Sequence, residues 1–250
     1  MITTLLHAVQ VLYSKDSQQK QTFKNIDFAI IPIVNVDSYK KINEKYFLGS
    51  NWENDKLKRL NMNDSYKKCP KWLDSGVDLN RNYPFKWGCD DEGSSPDPCH
   101  QDYRGPHAES EIEVQNMIKF VNNEPLIVSA MNFHAYGDLW VFPFNWDPSE
   151  GNEGLKSKPL LYNSYKHFMK FCPFEKHVAF GPGMETVKYT ANGEASDWML
   201  EKHNIMAFSP EVGSDSKDSD NFYVEKSKIS EVIEKFYPTI LCWVQNHKIK

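Results

Sequence analysis

Short β-rich apolar runs alternate along this chain with longer segments whose apolar residues recur at helical spacing. The runs lie at 26–34, 125–133, 139–144 and 205–209, and the helical segments at 2–12, 108–121, 155–171, 195–203 and 229–244. Alternation of this kind favours an α/β fold, in which helices flank one central sheet. With 250 residues, no internal repeat and no low-complexity linker, we predict a single domain over residues 1–250. Pro238 should kink the last helix.

Two segments carry more specific expectations. The run at 26–34 is continuously apolar, which is typical of a strand buried on both faces. The stretch 36–106 is rich in Asn, Asp, Lys, Gly, Pro and Ser and has little periodicity. We predict a long loop region there, and loops of that length are commonly functional.

Composition excludes some classes of function. Lys and Arg together number 29 against 34 for Asp and Glu, a net charge of −5, which argues against general nucleic-acid binding. No apolar run approaches the roughly 18 residues of a membrane span. The first residues have no basic segment, and His7 and Gln10 interrupt their apolar stretch, so the sequence predicts no signal peptide in this chain.

The chain has five cysteines, an odd number, so they cannot all pair with one another. Cys69, Cys89 and Cys99 fall together in the long loop region, and no Cys-x-x-Cys spacing indicates a structural zinc knot. A disulfide formed in an oxidising compartment and three free thiols are both open interpretations.

Four short motifs carry residues suited to chemistry. Asn80 and Arg81 place an amide beside a planar guanidinium, which suits a carboxylate, although an ordinary polar turn has the same residues. His134 and Glu211 each end an apolar run, where an open α/β sheet carries its site and where Glu can act as a general base. A structural histidine and a solvated glutamate are the alternatives. Tyr189 precedes the helical segment 195–203 and could be either mobile or part of the core.

In their order along the chain, these motifs resemble those of the zinc metallocarboxypeptidases, the family of pancreatic carboxypeptidases A and B. The matching stretches are Asn35-Val-Asp37-Ser-Tyr39, Arg59-Leu-Asn61, Asp78-Leu-Asn80-Arg81-Asn82, Tyr103-Arg-Gly105 with Ser110-Glu111-Ile-Glu113, His134-Ala-Tyr136-Gly137, Tyr189 with Asp197-Trp198, and Phe208-Ser-Pro-Glu211. Each is weak alone, whereas seven in the right order are specific. The resemblance covers essentially the whole chain. It implies a three-layer α/β fold with a central mixed β-sheet that lacks the family's first strands.

The resemblance also implies an activity, zinc-dependent hydrolysis of the C-terminal peptide bond of peptides and proteins. His134 matches the third zinc ligand, and Glu211 matches the general base that takes a proton from the zinc-bound water. Arg59 matches the arginine that polarises the scissile carbonyl. Asp78 matches a carboxylate that orients a zinc-bound histidine.

The same resemblance assigns the partner, a peptide or protein C-terminus bound by a monomer. Asn80 and Arg81 match the pair that docks the terminal carboxylate, and Tyr189 matches the tyrosine that closes over the bound residue. The floor of the specificity pocket maps near Ser196. Lys188 and Glu194 around it carry opposite charges, so apolar, basic and acidic C-terminal residues all stay open.

One departure from the family pattern concerns the metal. The family takes its other two ligands from a His-x-x-Glu motif, and none of the eight histidines here has Glu three residues later. Only one of three protein ligands for a single Zn²⁺ is therefore expected in this chain. By the alignment the motif would lie a few residues before Met1, which implies a catalytic domain whose N-terminal part is missing. A substitute pair, His107 with Glu111, could share a helix face.

Two other interpretations remain. A shortened, inactive pseudo-carboxypeptidase would bind peptide C-termini without cleaving them. A carbohydrate-active protein would use paired carboxylates such as Glu109 and Glu111.

The cysteines and a sequon bear on location. By resemblance Cys99 pairs with Cys69, with Cys89 as the other possible partner. Asn63-Asp64-Ser65 is a glycosylation sequon. Both features favour a secreted protein or one in an endomembrane lumen.

Overall fold

A four-stranded mixed sheet forms the centre of the computed structural model. The structure describes residues 26–47, 58–66, 69–149, 152–172, 178–213, 222 and 226–246. The strands are β1 (Ser129–Met131), β2 (Leu139–Val141), β3 (Ala179–Gly181) and β4 (Met206–Glu211), in the spatial order β1-β4-β2-β3. β1 runs parallel to β4 and β2 parallel to β3, while β2 and β4 are antiparallel. This arrangement confirms the predicted α/β fold with a mixed sheet.

Helices flank this sheet in the described part of the chain. They are α1 (Val36–Phe47), α2 (Ile112–Asn123), α3 (Glu153–Lys156), α4 (Pro159–Phe171), α5 (Gly183–Thr186), α6 (Ala195–His203) and α7 (Ile229–Asn246). Three 3₁₀ turns lie at Trp72–Asp74, Leu79–Arg81 and Lys226–Lys228.

Each face of the sheet packs on its own hydrophobic cluster, which gives three layers. One cluster joins the sheet to α4 and α7 through Trp140, Tyr165, Phe168, Phe208 and Phe236. The other joins β4 to α2 and α6 through Val114, Ile118, Trp198, Met199 and Ala207. Phe208 and Ala207 are neighbours in β4 and enter opposite clusters, as the two-residue alternation of a strand requires.

A side chain of α4 completes the hydrogen bonding of β4. The last pair between β2 and β4 is Val141 with Ser209, so Ala207 extends beyond β2. The buried Tyr165 hydroxyl donates to the Ala207 carbonyl at 2.8 Å and accepts from the Ala207 amide at 3.1 Å. One hydroxyl therefore takes the place that a further β2 residue would have, and it fixes α4 against the strand that carries Glu211.

Most predicted elements are confirmed with shifted ends. The predicted helix at 195–203 matches α6, and the predicted helix at 108–121 begins at Ile112. Glu109 has a φ of 59°, which a helix cannot include. The helix predicted at 155–171 is divided into α3 and α4 because Pro159 occupies the first turn of α4, where its missing N–H costs nothing. α7 contains Pro238, as expected.

In the N-terminal half, one prediction is wrong and another is wrong in part. Residues 26–34 form no strand, and Phe28, Ile30 and Ile31 are 39–40% exposed. Within the described ranges no strand pairs with this run, and Pro32 removes one of its donors. The predicted loop region begins with a helix, α1, whereas its described residues from 58 to 106 form only two 3₁₀ turns and otherwise have the irregular structure expected of a loop. Just before α1, the Asn35 amide donates to the carbonyls of Arg59 and Leu60 at 3.1 and 3.2 Å. The helix predicted at 2–12 lies outside the described residues.

Two disulfides cross-link the fold. Cys69–Cys99 confirms the pairing implied by resemblance, and Cys89 is a free, exposed thiol. The second bridge, Cys172–Cys242, joins the end of α4 to α7 and was not predicted.

Candidate active site

His134 and Glu211 meet at the carboxyl ends of two neighbouring parallel strands. His134 lies three residues beyond β1, and Glu211 is the last residue of β4. The His134 amide donates to the Pro210 carbonyl at 2.8 Å, and the Val212 amide donates to the His134 carbonyl at 2.9 Å. The main chain thus holds both side chains at one edge of the sheet, the edge where open α/β sheets bind ligands.

The His134 side chain is half-buried, and both positive and negative side chains act on its ring. Burial and the Arg59 charge lower its pKa to about 4, so the imidazole is neutral at physiological pH. Its Nε2 is buried and has no hydrogen-bond partner among the described residues. A neutral imidazole with a free nitrogen is the form that binds a metal ion.

Glu211 has the opposite shift. Burial raises the pKa of its carboxyl to about 7, although Arg59 and Arg81 both oppose the shift. A carboxylate that exchanges a proton near neutral pH is suited to general-base chemistry.

Arg59 is paired with the carboxylate that was expected to orient a zinc-bound histidine. Its Nε and Nη2 both lie 2.7 Å from Asp78 Oδ2, and Asp78 Oδ1 accepts from the Asn80 amide at 3.0 Å. Burial acts to raise the pKa of Asp78, but Arg59 and Arg81 outweigh it and hold that pKa below its usual range. Asp78 therefore fixes Arg59 and leaves Nη1 of the guanidinium as the donor that can reach a ligand.

Asn80 and Arg81 form one wall of the site. Asn80 Oδ1 accepts from the Ala195 amide at 3.1 Å, which leaves the NH₂ group of the side chain as the available end. Arg81 is only 6% exposed, yet its Nε has no partner in the described part of the chain. Gly193 lies against this wall with a φ of 68°, and a Cβ there would collide with the Arg81 carbonyl.

Tyr189 stands at the mouth of the site and is 54% exposed. Partial burial raises the pKa of its hydroxyl, and Arg81, Glu211 and Arg59 all act on it electrostatically. The six residues singled out from the sequence, Arg59, Asn80, Arg81, His134, Tyr189 and Glu211, thus converge on one region.

Sequence reasoning missed Asp102. Its Oδ1 lies 3.9 Å from Arg59 Nε and 4.0 Å from Arg81 Nη2. The available signal was its position between Cys99 and Tyr103, in a loop anchored by the Cys69–Cys99 bridge.

A zinc ion would find only part of its ligand set here. The orphaned Nε2 of His134 fits one position. Across the described ranges, however, no group of three or more His, Cys, Asp or Glu side chains could hold a metal ion. A tightly bound zinc needs three or four protein ligands, so the described residues do not make a zinc site by themselves.

Of the other carboxylates considered from the sequence, Glu111 is structural. Glu111 is 1% exposed, and its carboxylate accepts from Asn61, Asn63, Tyr66 and Ser110 at 2.6–3.0 Å. It is therefore free neither to join His107 on a metal nor to act on a sugar. The same contact occupies the Asn63 amide nitrogen to which a glycan would be attached.

The residue at the expected pocket floor is fully enclosed. Ser196 is 0% exposed and donates to Glu194 Oε1 at 2.8 Å, and Ser209 donates to the same oxygen at 3.0 Å. The preferred C-terminal side chain stays unassigned.

None of the helices in the described ranges is long and apolar enough to cross a membrane.

Comparison with known proteins gives a consistent result. A family model described as zinc carboxypeptidase matches residues 1–239. Human (Homo sapiens) carboxypeptidase A6 is 28% identical over 202 residues, which are 80% of this chain and 42% of that protein. Bovine (Bos taurus) carboxypeptidase B is 24% identical over 225 residues, 89% of this chain and 49% of that protein. The chain spans about half the length of the curated relatives it matches.

Solved structures share the fold. The crystal structure of thrombin activatable fibrinolysis inhibitor matches 98% of this chain and 57% of its own, with a TM-score of 0.73 and 24% identity. Carboxypeptidase A from Helicoverpa armigera matches 98% of this chain and 56% of its own, with a TM-score of 0.71 and 21% identity.

Proposed function

Because the chain belongs to the zinc carboxypeptidase family, we propose that the protein hydrolyses the last peptide bond of peptide and protein chains. The observation that carries this proposal is the Glu211 carboxylate, whose pKa is near 7. The main chain of Glu211 pairs with that of His134, whose Nε2 is buried and has no partner among the described residues. A general base works best when its pKa is close to the working pH.

The substrate's terminal carboxylate binds to the Asn80 NH₂ group and the Arg81 guanidinium. The Nε of Arg81, which has no partner among the described residues, supports this role, since a buried donor is costly unless a partner such as a ligand accepts its hydrogen bond. Docking at a chain end, where the carboxylate is, restricts the reaction to the last residue. Tyr189, exposed at the mouth, covers the bound residue.

Arg59 and Glu211 act at the scissile bond. Arg59 is held by Asp78 and offers Nη1 to the carbonyl oxygen, where negative charge develops during hydrolysis. Glu211 takes the proton of the attacking water and passes it to the leaving amine.

In this proposal His134 is a zinc ligand through Nε2, and the family's His-x-x-Glu motif, which the sequence of this chain does not contain, would supply the others. When bound, zinc would supply Lewis-acid activation of water and carbonyl. The two disulfides support secretion or residence in an endomembrane lumen.

Binding without hydrolysis is the second candidate. The observation that favours it is the single candidate ligand, His134, in the described part of the chain. A protein of this kind would capture C-termini through Asn80 and Arg81 and release them unchanged.

Sequencing the transcript upstream of Met1 separates the two candidates. If an in-frame His-x-x-Glu precedes Met1, the protein that includes it should release single C-terminal residues, and phenanthroline should abolish the activity. Endoproteolysis without exopeptidase activity, or indifference to the chelator, would contradict the hydrolase. If no such motif precedes Met1, we expect this chain to bind free-acid peptides and leave them intact in the presence of zinc.

A further inference from the structure

Asp102 faces both arginines of the site without forming a close ion pair with either. Its Oδ1 is 3.9 Å from Arg59 Nε and 4.0 Å from Arg81 Nη2. A charge-assisted hydrogen bond between these groups would measure about 2.7–2.9 Å. The Asp102 side chain is 42% exposed, so a ligand that enters from solvent can come between the three groups.

The Asp102 carboxylate is not what fixes the arginines. Asp78 already holds Arg59 through two contacts at 2.7 Å, and Arg81 donates Nη1 to the Asn80 carbonyl at 3.0 Å. Removing the charge of Asp102 leaves these contacts in place.

The carboxylate also does not hold its own loop. The Asp102 amide donates to His100 Nδ1 at 3.1 Å, and its carbonyl accepts from the Ser95 amide at 2.9 Å. The Cys69–Cys99 bridge anchors the segment three residues earlier. The second oxygen, Oδ2, lies 3.8 Å from His100 Nδ1, the nitrogen that accepts from the Asp102 amide. The main chain therefore presents a negative charge to the arginine pair.

A substrate carboxylate that binds Arg81 would meet this charge. The two anions would share the same guanidinium groups, and like charges that face one cationic pair repel each other. The negative charge of Asp102 therefore reduces the positive potential available to a C-terminus.

We propose that Asp102 is a specificity-determining residue that weakens docking of the C-terminal carboxylate by competing for Arg81 and Arg59. This inference rests on the proposed function, because it assumes that Arg81 binds that carboxylate. Its consequence is rapid release: the amino acid freed by hydrolysis keeps its carboxylate, and a weaker grip on that group lets the product leave sooner. The same charge gives the arginine pair a counter-ion while no ligand is bound.

The test measures equilibrium binding of two peptides to the whole chain, N-acetyl-Gly-Gly-Phe as the free acid and as its amide, with mass spectrometry to verify that the peptide stays intact. Asp102→Asn should bind the free acid about threefold to tenfold more tightly than wild type, as expected for removal of a half-exposed charge near two cations. Binding of the amide should change less than about twofold. The gain should shrink at high ionic strength, because exposed charges are screened.

Two control variants separate this effect from others. Asp102→Glu keeps the charge and should behave like wild type. Glu124→Gln removes the same charge from an exposed acid at the end of α2 and should alter neither affinity. Unchanged or weaker free-acid binding by Asp102→Asn, or an equal gain on the amide, would overturn the inference and leave the proposed docking intact. Failure of every variant to prefer the acid over the amide would overturn both.

Discussion

At the scale of single residues, Arg81 combines deep burial with hydrogen-bonding capacity that the described residues do not fill. It is 6% exposed, and its contacts to Asp78 and Asp102 are 3.9 and 4.0 Å. Burying a guanidinium without a close partner costs free energy, and a role in ligand binding would explain why the protein does so. A ligand carboxylate could form a close, bidentate ion pair with the Arg81 guanidinium, which the described residues do not.

We expect Arg81→Ala to raise KM for free-acid peptides by roughly 10–150-fold, since charge-assisted hydrogen bonds contribute about 1.5–3 kcal/mol. C-terminal amides lack the carboxylate, so the same variant should lose little further on them. Arg81→Lys keeps the positive charge but loses the planar guanidinium that can donate two hydrogen bonds to one carboxylate, so it should recover only part of the affinity. Steady-state kinetics on matched acid and amide substrates measures both effects. Equal losses on acid and amide would show that Arg81 does not anchor the carboxylate.

The corresponding prediction for Glu211 concerns the chemical step and, like the one for Arg81, it applies to the protein that includes the His-x-x-Glu motif. Glu211→Gln keeps the shape and removes the base, so kcat should fall by about 10²–10⁴-fold or more while binding is nearly unchanged. Glu124→Gln, which removes an exposed acid outside the site, should keep the wild-type kcat. Single-turnover kinetics separates chemistry from binding. Full kcat in Glu211→Gln would place the base elsewhere.

At the scale of elements, the Tyr165 hydroxyl forms the main-chain hydrogen bonds that a neighbouring strand normally forms. It satisfies both main-chain groups of Ala207, where β4 extends beyond β2. The strand that ends in Glu211 therefore depends on a side chain of α4, on the face of the sheet opposite to α6.

Tyr165→Phe should lower the free energy of unfolding by about 1–3 kcal/mol, because it leaves a buried N–H and C=O unpaired. Tyr162→Phe is the matched control: it makes the same change on the same helix at a half-buried position, and should cost less than about 0.5 kcal/mol. Urea unfolding followed by circular dichroism measures both. Equal effects of the two variants would contradict the role assigned to Tyr165.

Elements whose own residues mark their type and their ends were predictable from the sequence. α6 ends at Asn204, whose left-handed backbone caps the helix, and its position was predicted correctly. α1 was missed because three of its twelve residues are Lys and because it contacts Leu60 through Ser38, a polar hydrogen bond without a periodic signal. The run at 26–34 has strand composition, but composition does not supply a partner strand.

The site was predictable from the order of its motifs and less so from its contacts. His134 and Glu211 followed from the ends of apolar runs. Asp102 and the Arg59–Asp78 pair did not, since residues 59, 78 and 102 come together only through the fold. The Cys172–Cys242 bridge was not predicted for the same reason, because its two cysteines are 70 residues apart and meet only through the fold.

At the scale of the whole molecule, the two disulfides should contribute unequally to the free energy of unfolding. Cys172–Cys242 closes 70 residues and joins helices that pack on the same core, while Cys69–Cys99 closes 30 residues in the loop region. A longer closed loop removes more freedom from the unfolded chain.

We expect Cys172→Ala with Cys242→Ala to lower the free energy of unfolding by about 2–5 kcal/mol, and Cys89→Ala to leave it unchanged within about 0.5 kcal/mol. Guanidinium unfolding without reductant measures the difference. Thiol titration of the denatured, unreduced protein should find Cys89 alone. Three or more free thiols in secreted material would contradict the bridge assignment.

The pairing of β1 with β4 has a consequence for how the protein is made. The Ser129 hydroxyl donates to the carbonyl of Met206, which lies 77 residues further along the chain, and the same pairing aligns His134 with Glu211. Contacts so distant along the chain close slowly, because the loop entropy must be overcome before they stabilise anything. On the ribosome, the segment that carries Arg59, Arg81 and His134 emerges well before its partner strand does. The pairing of His134 with Glu211 therefore cannot form until β4 has been synthesised.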